Sequence, residues 1–286
     1  MRFIILVVLG FLVQDTIAAT LDVRLVIQAG TINLSGATLD ARTFSQNTTF
    51  QPNSDILIWT TNDDVNLRVV NLDSDPHGFE IDGYTTSFGT IAPGDSSEQN
   101  IVLSNAGVFR YFDNLNSPFN AYLGLSGVIH VKDASDTTPY FYWDIREYQE
   151  LWNAQIIGGS NPALNSYDPE QFTINGNHYP NTVTDPLARV TGNVGNAFKV
   201  VVVNNGLSIH SLHFHGYHLS IEADSKYSYT LGRSKDTFPV HPEEHLVLSC
   251  TPDKEGEYPV HDHNLVAVTG GGEYSTGMLL TILIDP

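Results

Sequence analysis

Short runs of alternating apolar and polar residues, each broken by a cluster of Asn, Asp, Gly or Pro, fill most of this chain. Val23-Arg24-Leu25-Val26-Ile27, Ile56-Leu57-Ile58-Trp59 and Leu67-Arg68-Val69-Val70 are of this kind. A period of two bounded by turn residues marks half-buried strands. The series extends from Leu21 to Val131, pauses at the polar link Lys132 to Thr138, and resumes from Phe172 to Ile284. Between the two lie the aromatic run Tyr140-Phe141-Tyr142-Trp143 and a stretch around Arg146 to Trp152 that reads as helix. The pattern predicts an all-β protein of two sandwich domains, residues 20–136 and 137–286, divided at that link.

The two series can be laid on one another, which says more than either alone. Pro76 to Gly83 aligns with Ile209 to Gly216, and Ile91 to Asp95 with Val240 to Glu244. Gly107 to Asn114 aligns with Gly256 to His263. Apolar positions match and histidines do not: Glu80, Asp82, Phe112 and Asn114 stand where the second half has His213, His215, His261 and His263. Each half is one copy of the same sandwich, with metal-ligand chemistry concentrated in the second.

Leu207 to His218 reads as a strand in which Leu212 and Phe214 alternate with histidines. Period two then puts His213 and His215 on one face, and His261 and His263 on one face with Asp262 opposite. Leu212, Phe214, Val201 and Val203 are the expected core beneath them. Two such pairs brought together offer four imidazoles, a set suited to copper and, less distinctively, to zinc. A lone histidine is usually an ordinary hydrogen-bonded residue, but eight of the eleven histidines fall between His210 and His263, which favours metal binding. His241-Pro242-Glu243-Glu244-His245 is a weaker candidate, because it lacks the H-E-x-x-H order and its proline favours a turn.

Composition changes this picture in three ways. The chain has 286 residues, 41% of them hydrophobic, enough for two cores, and its single cysteine, Cys250, allows no intrachain disulfide. A net charge of -19 excludes nucleic acid and anionic membrane surfaces as partners, both of which need basic patches, while leaving metal cations compatible. Arg2, the apolar stretch Phe3 to Val13 and the small pair Ala18-Ala19 read as a signal peptide over residues 1–19. The mature protein is therefore expected to be secreted or periplasmic, with no membrane span, since no segment supplies the ~20 apolar residues a span needs.

Asn205 to Gly216 resembles the H-x-x-H-x-H-G motif of multicopper oxidases, and Tyr258 to His263 followed by Gly277-Met278 resembles their H-C-H motif and closing strand. Phe172-Thr173-Ile174-Asn175-Gly176 with Pro180 is similar to the family's F-x-I-N-G-x-x-x-P opening, and Val201 to Asn204 to the strand before its first histidine. The resemblance covers essentially the whole mature chain. It implies two cupredoxin-like Greek-key domains and copper as cofactor, with His210 at the type 1 position and His213, His215, His261 and His263 at type 2 and type 3 positions. The chain departs from the pattern at Asp262, where the family has its thiolate ligand, and Asp113 is the matching residue of the first half. Ala267 stands where a further histidine belongs, and Cys250 falls near a strand end, at the turn away from the metal loops. A carboxylate does not reproduce the strongly coupled thiolate of a blue copper site, so the residues support copper binding better than laccase activity.

Three functions follow. The first is a secreted copper-binding protein that holds copper through His213, His215, His261 and His263 without a type 1 centre. The second is a copper-dependent oxidoreductase with a type 2 or coupled site at a homotrimer interface, as resemblance to two-domain laccases and nitrite reductases implies. The first domain would then offer Glu80, Asp82 and His77. The third is a metal-free extracellular interaction module.

Overall fold

The structure is a computed structural model, and it describes residues 20–85 and 87–286. The leader expected at residues 1–19 lies outside the described residues. The first series of strands comprises β1 (Thr20–Leu34), β2 (Ala37–Ser45), β3 (Ile56–Thr60), β4 (Asp64–Asn71), β5 (Glu80–Ile81), β6 (Ser96–Val102), β7 (Gly107–Phe112) and β8 (Ser126–Lys132). They form two sheets, β2-β1-β4-β6 and β3-β8-β7-β5. The second series comprises β9 (Tyr140–Tyr148), β10 (Gln171–Ile174), β11 (Thr191–Asn193), β12 (Phe198–Asn204), β13 (His210–Phe214), β14 (Leu219–Asp224) and β15 (Ser234–Lys235). It continues with β16 (Thr237–Val240), β17 (His245–Cys250), β18 (Gly256–Asp262), the hairpin β19 (Thr269–Gly270) and β20 (Glu273–Tyr274), and β21 (Leu279–Asp285). Its main sheets run β10-β9-β12-β17-β14-β15 and β11-β21-β18-β13-β16, and among the described residues no sheet mixes strands of the two series.

The sequence repeat is a repeat in register. Glu80 faces Phe112 across β5 and β7, as His213 faces His261 across β13 and β18. His77 bridges to Ile91 as His210 pairs with Val240. Asn71 and Asn204 also play the same part, each donating its side-chain amide to the carbonyl of the residue paired with the histidine, Ile91 or Val240.

Each sandwich has its own core, with Leu25, Phe44, Phe79, Tyr111 and Ile129 in the first and Trp143, Val200, Val202, Leu212, Phe214 and Leu280 in the second. Val201 and Val203 are not beneath the histidines as expected. They point to the opposite face of β12 and join Val108, Val128, Tyr142 and Val247 in a cluster between the domains. A central sheet covered on both sides buries both faces of its strands, and this also corrects the helix expected from Arg146. Residues up to Tyr148 belong to β9, buried along nearly its whole length, and the second helix, α2, runs Glu150–Ile157, after the single turn α1 (Phe119–Tyr122). Within this strand Arg146 finds its partners in the interior, donating to Ser126 Oγ at 3.0 Å and to Asp144 at 2.9 Å. The strand expected from Leu207 to His218 is likewise shorter. It stops at Phe214, and the chain turns through Gly216 (φ +84), where a Cβ would lie 2.5 Å from the Tyr258 ring.

Candidate metal centre

Antiparallel pairing of β13 with β18 sets His213 directly against His261. His215 and His263 extend this edge beyond the ladder, held by backbone bonds from His215 N to Pro259 O (3.0 Å) and from His263 N to Ser211 O (2.7 Å). The four rings cluster around His213, whose centroid lies 4.6 Å from that of His215, 5.6 Å from His261 and 5.5 Å from His263. His215 Nε2 and His261 Nε2 approach to 3.1 Å.

The second nitrogen of two rings fixes which nitrogen carries the lone pair. His261 Nδ1 sits 2.8 Å from the Asp262 carbonyl, which can only accept, so Nδ1 bears the proton and Nε2 is free to ligate. The Thr237 hydroxyl donates to Asp236 Oδ1 and leaves its oxygen to accept from His213 Nδ1 at 2.9 Å, so the His213 lone pair is again on Nε2. A ligand imidazole needs such a partner to hold its tautomer and orientation. Burial, reinforced by the neighbouring His213 and His261, lowers the pKa of His215 and keeps it neutral at pH 7.

The cluster is open on one side. His213 and His261 are half-buried, whereas His215 and His263 are exposed. A cavity of about 640 Å³ adjoins it, lined by His213, His215, His218, Asp236, Cys250 and Lys254 among others. Among the described residues no three side chains of His, Cys, Asp and Glu converge closely enough to hold a metal ion by themselves. The chain therefore presents a half-shell. Cys250, expected to turn away from the metal loops, lines the same cavity, but burial and then Asp253 push its thiol up to about 11, so it is no thiolate.

His210 is not part of this cluster. Its Nδ1 lies 2.5 Å from Asp262 Oδ2 and its Nε2 2.8 Å from Glu147 Oε2, leaving neither nitrogen for a metal. All three side chains are buried. Burial opposes a charge on the ring, but the two carboxylates outweigh it and raise the pKa of His210 to about 9. The first domain repeats the arrangement, with His77 Nδ1 2.7 Å from Asp113 and Nε2 2.9 Å from Asp73. The expectations that His210 occupies a copper position and that His77 is available as a ligand are thereby corrected. Where a thiolate and a histidine would share a metal, this chain has a buried imidazole clamped between two carboxylates, in both halves.

The remaining candidates lie elsewhere. His241 lines a separate cavity of about 280 Å³ with Tyr227 and Glu244, its ring 5.4 Å from that of Tyr227. Burial lowers the pKa of His245 to about 4. The segment between them is a turn, with Glu243 at φ +63. Sequence reasoning missed Glu147, Thr237 and Asp236. No local pattern marked Glu147; the structure shows that Gly206 makes room for it, since a Cβ there would lie 1.8 Å from Glu147 Oε2.

Residues 159–276 match the family model described as multicopper oxidase. The chain superposes on the blue copper oxidase from Nitrosomonas europaea with a TM-score of 0.80 at 19% identity, covering 93% of this chain and 86% of that one. The described chain therefore has the fold of these oxidases, and its sequence match to their family lies in the second half. The multicopper oxidase mgLAC gives a TM-score of 0.78 at 20% identity, with 93% and 87% of the two chains covered. For the copper nitrite reductase from N. europaea the values are 0.73, 18%, 93% and 94%. No curated protein matches the sequence. The family implies copper, and the donors of this multicopper-oxidase-like chain suit it in part. Two imidazole nitrogens on one first-row metal, each bonded at ~2 Å, stand roughly 3 Å apart, and the His215 and His261 Nε2 atoms are 3.1 Å apart.

Proposed function

We propose that this protein is exported and binds copper through His213, His215, His261 and His263, without a type 1 centre. The observation that carries the reading is the His215–His261 pair, with Nε2 atoms 3.1 Å apart and the His261 lone pair turned toward its partner by the Asp262 carbonyl. Imidazole-held copper supplies a one-electron redox centre, and Asp262 and Asp113 offer no sulfur through which to load it. The role that follows is holding or sequestering copper.

The experiment is copper stoichiometry with absorption and EPR spectra of the purified mature protein, alongside oligomeric mass. Bound copper without an intense blue thiolate band is expected, lost in a His213→Ala/His215→Ala double variant that still folds. An intense blue band would overturn the reading.

A second reading has a specific observation behind it. The half-shell is open, and Ile209, Leu265 and Val266 flank it with 53%, 69% and 58% of their surface exposed. A homotrimer in which the first domain of a neighbour closes the shell would make the site that of a copper-dependent oxidoreductase. Glu80→Ala/Asp82→Ala would then remove copper as effectively as the histidine variant.

A further inference from the structure

The two clamps differ in what they carry. In the second domain Asp262 lies between His261 and His263 and points inward, where its Oδ1 accepts from Ser211 N at 3.2 Å and Asn264 N at 2.8 Å. Its Oδ2 meets His210, whose other nitrogen meets Glu147 Oε2. Glu147 Oε1 in turn accepts from Leu207 N at 2.6 Å and Ser208 N at 2.7 Å. The segment carrying His213 and His215 and the segment carrying His261 and His263 are thus stapled to each other, and both to β9, by one ionic chain whose members are 0–1% exposed. In the first domain Asp113 accepts from Gly78 N and Leu115 N at 2.7 and 2.8 Å and meets His77. The outward positions beside that clamp carry Glu80, Phe112 and Asn114 and no imidazole.

We infer that Asp262, His210 and Glu147 are positioning residues that set the register of the two histidine pairs, a role that the matching clamp of Asp113, His77 and Asp73 does not have. The inference rests on the copper-binding reading. Buried ionic chains of this kind are sensitive to loss of one member, because the partner is left charged and unpaired. Removing the groups that support ligand histidines typically weakens metal affinity about 10- to 100-fold.

The test compares Asp262→Ala with Asp113→Ala by copper titration, thermal midpoint and side-chain 15N NMR of the metal-free imidazoles. Both variants lower the midpoint. Asp262→Ala is expected to weaken copper binding about tenfold or more and to scramble the Nδ1–H tautomer of His261, while Asp113→Ala leaves both as in wild type. Asp262→Asn keeps an oxygen for Ser211 N and Asn264 N and is expected to restore copper affinity to within about threefold of wild type. Should Asp262→Ala not fold, Asp262→Asn and Glu147→Gln carry the comparison, the second being expected to weaken copper more than Asp113→Ala does. Equal copper loss in the two alanine variants, or unchanged affinity and tautomer in Asp262→Ala, overturns the inference while the copper reading stands. If wild type binds no copper, that reading fails, and the tautomer measurement on metal-free protein still decides the positioning role.

Discussion

The His210 clamp makes folding stability depend on pH in a direction opposite to the familiar acid denaturation of buried carboxylates. The ring is buried with 1% exposure, and its folded-state pKa of about 9 stands above an unfolded value of about 6.5. A raised pKa means that the native state holds the proton more tightly. The contribution is therefore complete below pH ~6.5 and disappears as pH rises through ~9. Each tenfold gain in proton affinity is worth about 1.4 kcal/mol, so the whole effect is about 3 kcal/mol, of which about 2 remains at pH 7.5 and less than about 1 at pH 8.5. Urea unfolding of the metal-free protein at intervals from about pH 6 to 10, run beside His210→Gln, reads the difference directly. Wild type is expected to lose about 2–3 kcal/mol relative to the variant across this range, with the steepest change between about pH 7 and 9. Parallel curves for the two proteins would show that the ring is neutral in the fold and that the clamp is an ordinary hydrogen bond.

Three further outcomes are expected. Thr237→Val removes the hydroxyl that holds His213 Nδ1 and should weaken copper binding about tenfold in a competition titration while moving the thermal midpoint little. Gly206→Ala drives a Cβ into the Glu147 carboxylate and should cost about 3 kcal/mol in urea unfolding, since neither the buried acid nor its backbone donors can shift aside cheaply. Copper should be released as pH falls below ~6, because imidazoles must be neutral to ligate; dialysis followed by metal analysis that finds full retention at about pH 4.5 would point away from histidine ligands.

The strand series and the repeat were legible because alternation and turn residues act locally. The alignment of Glu80 with His213 and of Phe112 with His261 is reproduced by the ladders that pair them. Period two placed His213 and His215 together for the same reason. It failed at β9 and β12, where both faces of a sheet are covered. There alternation no longer separates inside from outside, so Val201 and Val203 face the other domain and Arg146 is buried in a strand. The error at His210 was of another kind. Motif position said metal, but the carboxylate that claims its Nε2 belongs to Glu147, 63 residues away, and long-range ionic partners leave no local trace in sequence. Only Asp262 was visible beforehand, as the residue standing in a cysteine's place.

The two halves reach the same clamp from unequal sequences, and that bears on function. In the first domain the second carboxylate is Asp73, two residues beyond Asn71. The corresponding position beyond Asn204 is Gly206, and Glu147 fills the vacated space from β9 instead. Aspartate in the cysteine position is used alike in both halves, accepting from the backbone N–H after each histidine, Gly78 and Ser211, and from a second N–H two residues beyond itself, Leu115 and Asn264. A carboxylate held by these donors is turned into the interior against a buried imidazole, and both nitrogens of the ring it faces are already taken by carboxylates. On the proposed reading, what would be the electron intake of an oxidase has been converted into a strut, while the histidines it supports keep two Nε2 atoms 3.1 Å apart. If that reading holds, the chain keeps imidazoles to hold copper and has no thiolate at Asp262 or Asp113 through which an oxidase would reduce it, which is why binding rather than turnover is the activity to measure first.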